Sequence, residues 1–210
     1  MTDGLLINVA DCTLYFFKDG RLKSQLPVVV GRAKSSEVRS WQTPLGNFKV
    51  TEKIKNPTWH IPQSIQKEME DAGQEVQIEI PPGPDNPLGK YAIRTSLPGI
   101  LIHGTNVSSF KNCYRSHGCI RVSASKIESL FNEIKIDTAG EIIYRPIKIS
   151  ANDDGKIFLE VHKDSYGNIK DMRSKVRETI KGYKLESSVN WKKVNRTVKE
   201  KSGFAEDVSL

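Results

Sequence analysis

At 210 residues and 37% hydrophobic content, the chain is long enough to bury a core as one generous domain or a domain with an appendage, which excludes disorder as its resting state. A formal charge of +7, from 32 Lys and Arg against 25 Asp and Glu, favours an anionic partner, but no zinc-finger spacing, aromatic RNA-binding signature or long basic run points to nucleic acid. No stretch approaches the roughly 18 to 20 apolar residues of a bilayer span, and Met1 runs at once into LLINVA without a basic leader or cleavage site, so neither an integral membrane segment nor a signal peptide is read.

The first third of the chain predicts a β-meander. LLINVADCTLYFFKDGRLKSQLPVVVG holds β-branched and aromatic runs broken at Lys18-Asp19-Gly20-Arg21, a hairpin signal. In TPLGNFKV, Pro44 and Gly46 mark a tight turn into a further strand. Residues 52 to 89 carry six prolines, too many for long regular elements. Within them SIQKEMEDAG predicts one short helix, capped by Ser64 and stopped by Gly73. So long an excursion is usually a functional loop or lid. KYAIRT and GILIHG are strands joined by Ser96-Leu97-Pro98-Gly99, and the second delivers His103 at its end. SASKIESLFNEIK then places Ile127, Leu130, Phe131 and Ile134 on one helical face, with Ser125 and Glu128 at capping-box spacing. Beyond two more strands around the turn Asn152 to Gly155, basic helices are predicted at Ser174 to Lys181 and, behind an Asn190 cap, at Trp191 to Glu200. Residues 1–145 thus read as the main domain and 146–210 as an extension packed on its core.

Three cysteines, Cys12, Cys113 and Cys119, are too few for a disulfide framework, and their odd number leaves at least one unpaired within the chain. Cys119 lies in RSHGCIRV. Its thiol needs a neighbouring base to form the reactive thiolate. His117, two residues before it, would sit about 6 to 7 Å away on an extended chain. His103, at the end of another predicted strand, can come closer and is the candidate base. Gly118 lets the backbone bend so that the Gly118 and Cys119 N–H groups could form an oxyanion hole, Gly104 allows close approach of the segments, and Arg121 offers a bidentate grip for a carboxylate. Rival readings stay open: an inert core cysteine, a zinc site of His103, His117 and Cys119 that lacks a fourth donor with clear spacing, and a disulfide between Cys113 and Cys119. His60 and His162 read as structural.

These residues resemble the L,D-transpeptidases, or YkuD-type domains, of bacterial cell-wall assembly. The resemblance is carried by IHGTN at 102 to 106 and SHGCIRV at 116 to 122, with VVVGR, TPLGNFKV, NPTWHIP and PPGPDNPLGKYAI in family order. IFLEVHKDSYG and VNWKKV are similar to the C-terminal extension of the subgroup that includes lipoprotein-attaching enzymes. Arg121, where many members have asparagine, and the short gap from His103 to Ser116 also occur in that subgroup. The resemblance implies a mainly β, β-sandwich-like catalytic fold with a few short helices and a C-terminal helical extension. It implies Cys119 as nucleophile, His103 as base, the Gly104 carbonyl orienting that imidazole, and Ser116, His117, Gly118 and Arg121 shaping the pocket, with Ser116 and Arg121 toward substrate. The activity implied is acyl transfer at the diaminopimelate carbonyl of a peptidoglycan tetrapeptide stem, in the periplasm or cell envelope. The acceptor is an amine of another stem, a lipoprotein lysine or water, and no cofactor is called for. A peptidase or amidase on the same polymer, or a silent peptidoglycan-binding module, are the alternatives.

Overall fold

The computed structural model describes residues 3–33, 41–105, 110 and 112–210; Asn106 of the IHGTN segment lies outside them. The chain divides into two compact units, 1–143 and 144–210.

In the first unit, β1 (Gly4–Asn8), β2 (Thr13–Lys18), β3 (Arg21–Gly31) and β4 (Gly46–Lys55) precede the excursion, which holds β5 (Trp59–His60), α1 (Gln63–Asp71) and β6 (Glu79–Ile80). There follow β7 (Tyr91–Thr95), β8 (Leu101–Thr105), β9 (Tyr114–Ser116), β10 (Ile120–Ser123), α2 (Ala124–Glu133) and β11 (Ala139–Ile143). Nine strands form one sheet in the order β10-β8-β7-β4-β11-β1-β2-β3-β9. The sheet curls until β10 also pairs with β3, Arg121 opposite Val29, so the predicted sandwich is one sheet closed on itself with its two walls across a common core. The mainly β expectation holds.

Alternation fills that core. Leu5 and Ile7 of β1, Leu14 and Phe16 of β2, Phe48 and Val50 of β4 and Ile120 and Val122 of β10 are buried, and each large apolar side chain contributes about 1.5–3 kcal/mol. Val28, Val29 and Val30 are all fully buried, so both faces of β3 are covered over the stretch that pairs with β10 and β9. The predicted hairpin is present: Lys18 pairs with Arg21, and Asp19 and Gly20 take φ of 51° and 73°, as a type I′ turn needs.

Three sequence expectations give way. Helix α1 begins at Gln63 behind Pro62, so Ser64 lies inside it and caps nothing. Helix α2 begins at Ala124, one residue before Ser125, because β10 runs straight into it from Ser123, and Glu128 instead accepts a hydrogen bond from Tyr91 at 2.6 Å. Cys113 is joined by a disulfide to Cys12, not to Cys119, because β9 lies beside β3 and brings Cys113 to the β1–β2 turn. Cys119 is the free cysteine.

The second unit contains β12 (Ile147–Ala151), β13 (Ile157–Val161), α3 (Met172–Gly182), α4 (Trp191–Glu200) and β14 (Ala205–Asp207). Ile157, Leu159, Val161, Met172, Val176, Ile180, Val194 and Val198 are buried together between its three-stranded sheet and its helices. Asn190 caps α4 as its sequence predicts, accepting from the Lys192 and Lys193 N–H groups. Among the described residues no helix is long and apolar enough to cross a membrane.

Candidate active site

Strands β8 and β10 run parallel, with Ile102 opposite Ile120 and His103 opposite Arg121. Facing residues point to one side of a sheet, as do residues two apart along a strand. Cys119, immediately ahead of β10 and two residues before Arg121, therefore lies diagonally across from His103. The main-chain N–H of Leu101 donates to Cys119 Sγ at 3.4 Å, and the thiol reaches the Gly99 carbonyl at 3.5 Å. The sulfur is only partly buried, so the β7–β8 turn and the start of β8 hold it at the surface end of the sheet.

His103 is 3% exposed. Its Nδ1 lies 2.7 Å from the Gly104 carbonyl oxygen, which can only accept, so Nδ1 carries the proton and Nε2 keeps its lone pair. Burial, reinforced by the Arg121 charge and opposed by the Gly104 and Leu88 carbonyls, brings the imidazole pKa down to about 4. The ring is neutral at neutral pH. A Cβ at Gly104 would meet Ile127 Cγ2 at 3.2 Å, so the absence of a side chain there lets β8 pass under α2, a different close approach from the one the sequence suggests. Gly104 also lines a cavity of about 460 Å³ with Gly89, Tyr91, Ile127 and Glu128, whose walls include neither His103 nor Cys119.

The loop before the cysteine is held by two buried hydroxyls. Ser116, with no exposed surface, donates to the Cys119 carbonyl at 2.6 Å and accepts from the Gly118 N–H at 3.1 Å. Thr43 donates to the Gly118 carbonyl at 2.8 Å and accepts from the Gly31 N–H at 2.9 Å. Gly118 has φ of +116°, which a residue with a side chain rarely adopts. Ser116 is fully buried beneath this loop and shapes it, and the Gly118 N–H, expected beside the Cys119 N–H as an oxyanion donor, is bound here to Ser116 Oγ.

His117 turns away from the sulfur toward other partners. Its Nε2 is 3.3 Å from Glu68 Oε2 and 3.3 Å from Arg32 Nη2, and its ring meets Trp41 edge-on at 4.6 Å. Burial lowers its pKa against the opposing pull of Glu68. Arg121 is half-buried, its Nε buried without a hydrogen-bond partner among the described residues, and burial lowers its pKa while attraction to the Cys119 sulfur raises it. The structure thus brings together Cys119, His103, Gly104, Ser116, Gly118, His117 and Arg121. It adds Arg32, Trp41, Thr43 and Glu68; VVVGR and TPLGNFKV flank the first three and were the available signal. His60 lies apart, against Glu79 at 3.3 Å, and His162 is paired with Glu160 in the second unit.

Residues 2–149 match the family model of the L,D-transpeptidase catalytic domain, YkuD. The chain is 31% identical to the probable L,D-transpeptidase ErfK/SrfK of Salmonella typhimurium over 218 residues, spanning 99% of this chain and 67% of that protein. It is 33% identical to the probable L,D-transpeptidase YcfS of Escherichia coli over 172 residues, 80% of this chain and 52% of that one. Among solved structures, a cysteine-to-serine mutant of the Enterococcus faecium L,D-transpeptidase superposes with a TM-score of 0.51 at 18% identity, covering 68% of this chain and 50% of that one. An L,D-transpeptidase from Mycobacterium smegmatis gives 0.51 at 17%, covering 67% and 58%; the two establish a shared fold.

Proposed function

Because the chain belongs to the YkuD family of L,D-transpeptidases, we propose that it is a peptidoglycan L,D-transpeptidase of the bacterial cell envelope that works through Cys119. The observation that carries this reading is the buried, neutral His103. Its Nδ1 is pinned to the Gly104 carbonyl and its strand runs parallel to the one that follows the free cysteine. A neutral imidazole with a fixed tautomer has one lone pair, at Nε2, and can take one proton.

In the first half-reaction His103 Nε2 takes the Cys119 proton and the sulfur attacks the diaminopimelate carbonyl of a tetrapeptide stem. The tetrahedral adduct collapses, the carbon–nitrogen bond breaks, and the imidazolium returns its proton to the departing amine of D-alanine, leaving a thioester. In the second, an acceptor amine attacks the thioester, His103 takes its proton, and the thiol is regenerated as the new amide forms. The acceptor is the side-chain amine of another stem or a lysine of a lipoprotein. Leu101 N–H, donating to Sγ, stabilises the thiolate that attacks in the first step and leaves in the second. Arg121, with an unpaired buried Nε, supplies a guanidinium for a carboxylate of the anionic stem. The Cys12–Cys113 disulfide supports an oxidising compartment such as the periplasm. Residues 1–145 are the catalytic domain and 146–210 its extension.

Incubation with purified disaccharide tetrapeptides and mass analysis of the products tests the reading. Dimers joined through diaminopimelate, or released D-alanine with an acceptor amide, are the expected products, and both vanish in Cys119→Ala. Water-only products place the protein among hydrolases, and turnover that survives Cys119→Ala overturns the cysteine mechanism.

A further inference from the structure

Arg32, Arg115 and Arg121 gather beside the nucleophile: Arg121 feels the charges of the other two, and His117 feels those of Arg32 and Arg121. Like charges at such range make a standing site for an anion. Arg32 is held ready, its guanidinium stacked on Trp41 at 4.5 Å and its Nε donating to the Arg115 carbonyl at 3.5 Å.

A carboxylate from a distant segment reaches into this cluster. Glu68, on α1, sits 3.3 Å from His117 Nε2, the same nitrogen that Arg32 Nη2 approaches at 3.3 Å. A neutral imidazole nitrogen either donates or accepts. If Nε2 carries the proton it serves Glu68 and turns that proton on Arg32; if it is bare it accepts from Arg32 and sets its lone pair against the carboxylate. One contact is unsatisfied either way. The fit is poor elsewhere as well: among the described residues, Glu68 Oε1 and Trp41 Nε1 are buried without hydrogen-bond partners, as is Arg121 Nε. Buried polar atoms without partners are costly, so a ligand that satisfied them would compete with the present arrangement. Helix α1 itself buries none of its residues, so little packing holds it down.

We infer that Glu68 is a built-in competitor, its carboxylate standing in a subsite of Arg32, Trp41 and His117 that takes a carboxylate of the substrate, and that substrate entry displaces Glu68 together with α1. The chemical class of the ligand rests on the peptidoglycan reading above. An exposed or half-exposed ion pair of this kind restrains its partner by a factor of about two to five, which is the competition that substrate must overcome.

The test is calorimetric binding of a diaminopimelate tetrapeptide to Cys119→Ala, alone and combined with Glu68→Ala or with Glu68→Gln, which keeps the side-chain shape. Both double variants are expected to bind about two- to fivefold more tightly than Cys119→Ala. A tetrapeptide with its carboxylates amidated should show no such gain. Unchanged or weaker binding in Glu68→Gln overturns the inference, and so does an equal gain with the amidated peptide, which would make Glu68 a steric obstacle only. These proteins catalyse nothing, so the result stands apart from the muropeptide assay, whose failure would instead remove the transpeptidase reading.

Discussion

His103 faces Arg121 directly across the parallel β8–β10 pair, so a buried imidazole and a half-buried guanidinium share one end of the sheet. The cation adds to burial in keeping the ring neutral, while the Gly104 carbonyl fixes which nitrogen holds the proton. The charge of the ring and its tautomer thus come from separate neighbours.

The first prediction concerns pH. With its pKa near 4, His103 is a competent base well below the usual histidine range, so the acid limb of kcat/KM that reports this ring should fall near pH 4. Arg121→Gln removes a cation that lowers the pKa, and the limb should move upward. Linkage gives the matching stability effect. The unfolded chain binds this proton at an ordinary pKa near 6.5 and the folded chain does not, so stability is complete above about 6.5 and declines as pH falls toward 4. The loss is on the order of 3 kcal/mol. Urea unfolding across that window, with His103→Gln as reference, reads it; a flat profile in the parent protein would contradict the buried neutral ring.

Acylation by a carbapenem tests the assembled site. The strained lactam carbonyl takes the place of the stem carbonyl, its ring carbon–nitrogen bond opens, and the sulfur keeps the whole drug as a thioester. Intact mass should rise by one drug equivalent, faster as pH raises the thiolate fraction. His103→Ala should slow this step by on the order of 100-fold or more while slowing iodoacetamide alkylation far less, since alkylation needs no proton returned to a leaving group. Equal effects on the two reagents would reduce His103 to a packing residue.

Ser116→Ala removes a hydroxyl that serves both the Cys119 carbonyl and the Gly118 N–H in a fully buried position. Two main-chain groups lose their partner, so the expected cost is about 1–3 kcal/mol of stability together with a fall in kcat larger than any change in KM. A change confined to KM would restore Ser116 to the role of a substrate contact.

Replacing Cys12 and Cys113 together by alanine opens a bridge across 101 residues of chain. A loop of that size predicts a loss of about 2–5 kcal/mol, seen as a lower denaturation midpoint, with Cys119 still able to be acylated where the protein is folded. Loss of acylation in the folded variant would show that the bridge sets the Cys119 loop as well as its stability.

Legibility in the sequence followed range. The Lys18 to Arg21 hairpin and the α4 helix behind Asn190 are specified by residues within a few positions of one another, and both form as read. Cys119 and His103 are sixteen residues apart beside strands with local signatures, and the parallel pairing of those strands sets Arg121, two residues after the cysteine, opposite His103. Glu68, Arg32 and Trp41 come from three separate segments, and no spacing in any one of them encodes their convergence on His117. The Cys12–Cys113 pair depends on β9 lying beside β3, a parallel contact without a local signature. The use of Gly118 failed for a finer reason: its flexibility was recognised, but the small, buried Ser116 hydroxyl claims the N–H that this flexibility presents.

The strand that follows Cys119 has neighbours on both sides, β8 parallel and β3 antiparallel, and so possesses no open edge. An interior strand cannot shift register without breaking two ladders at once. Any accommodation of differently shaped acceptors is then expected of the proline-rich segment from 56 to 90, whose helix buries none of its residues. Exchanging that segment between relatives should redirect which amine is joined, with the rate of thioester formation left almost as it was.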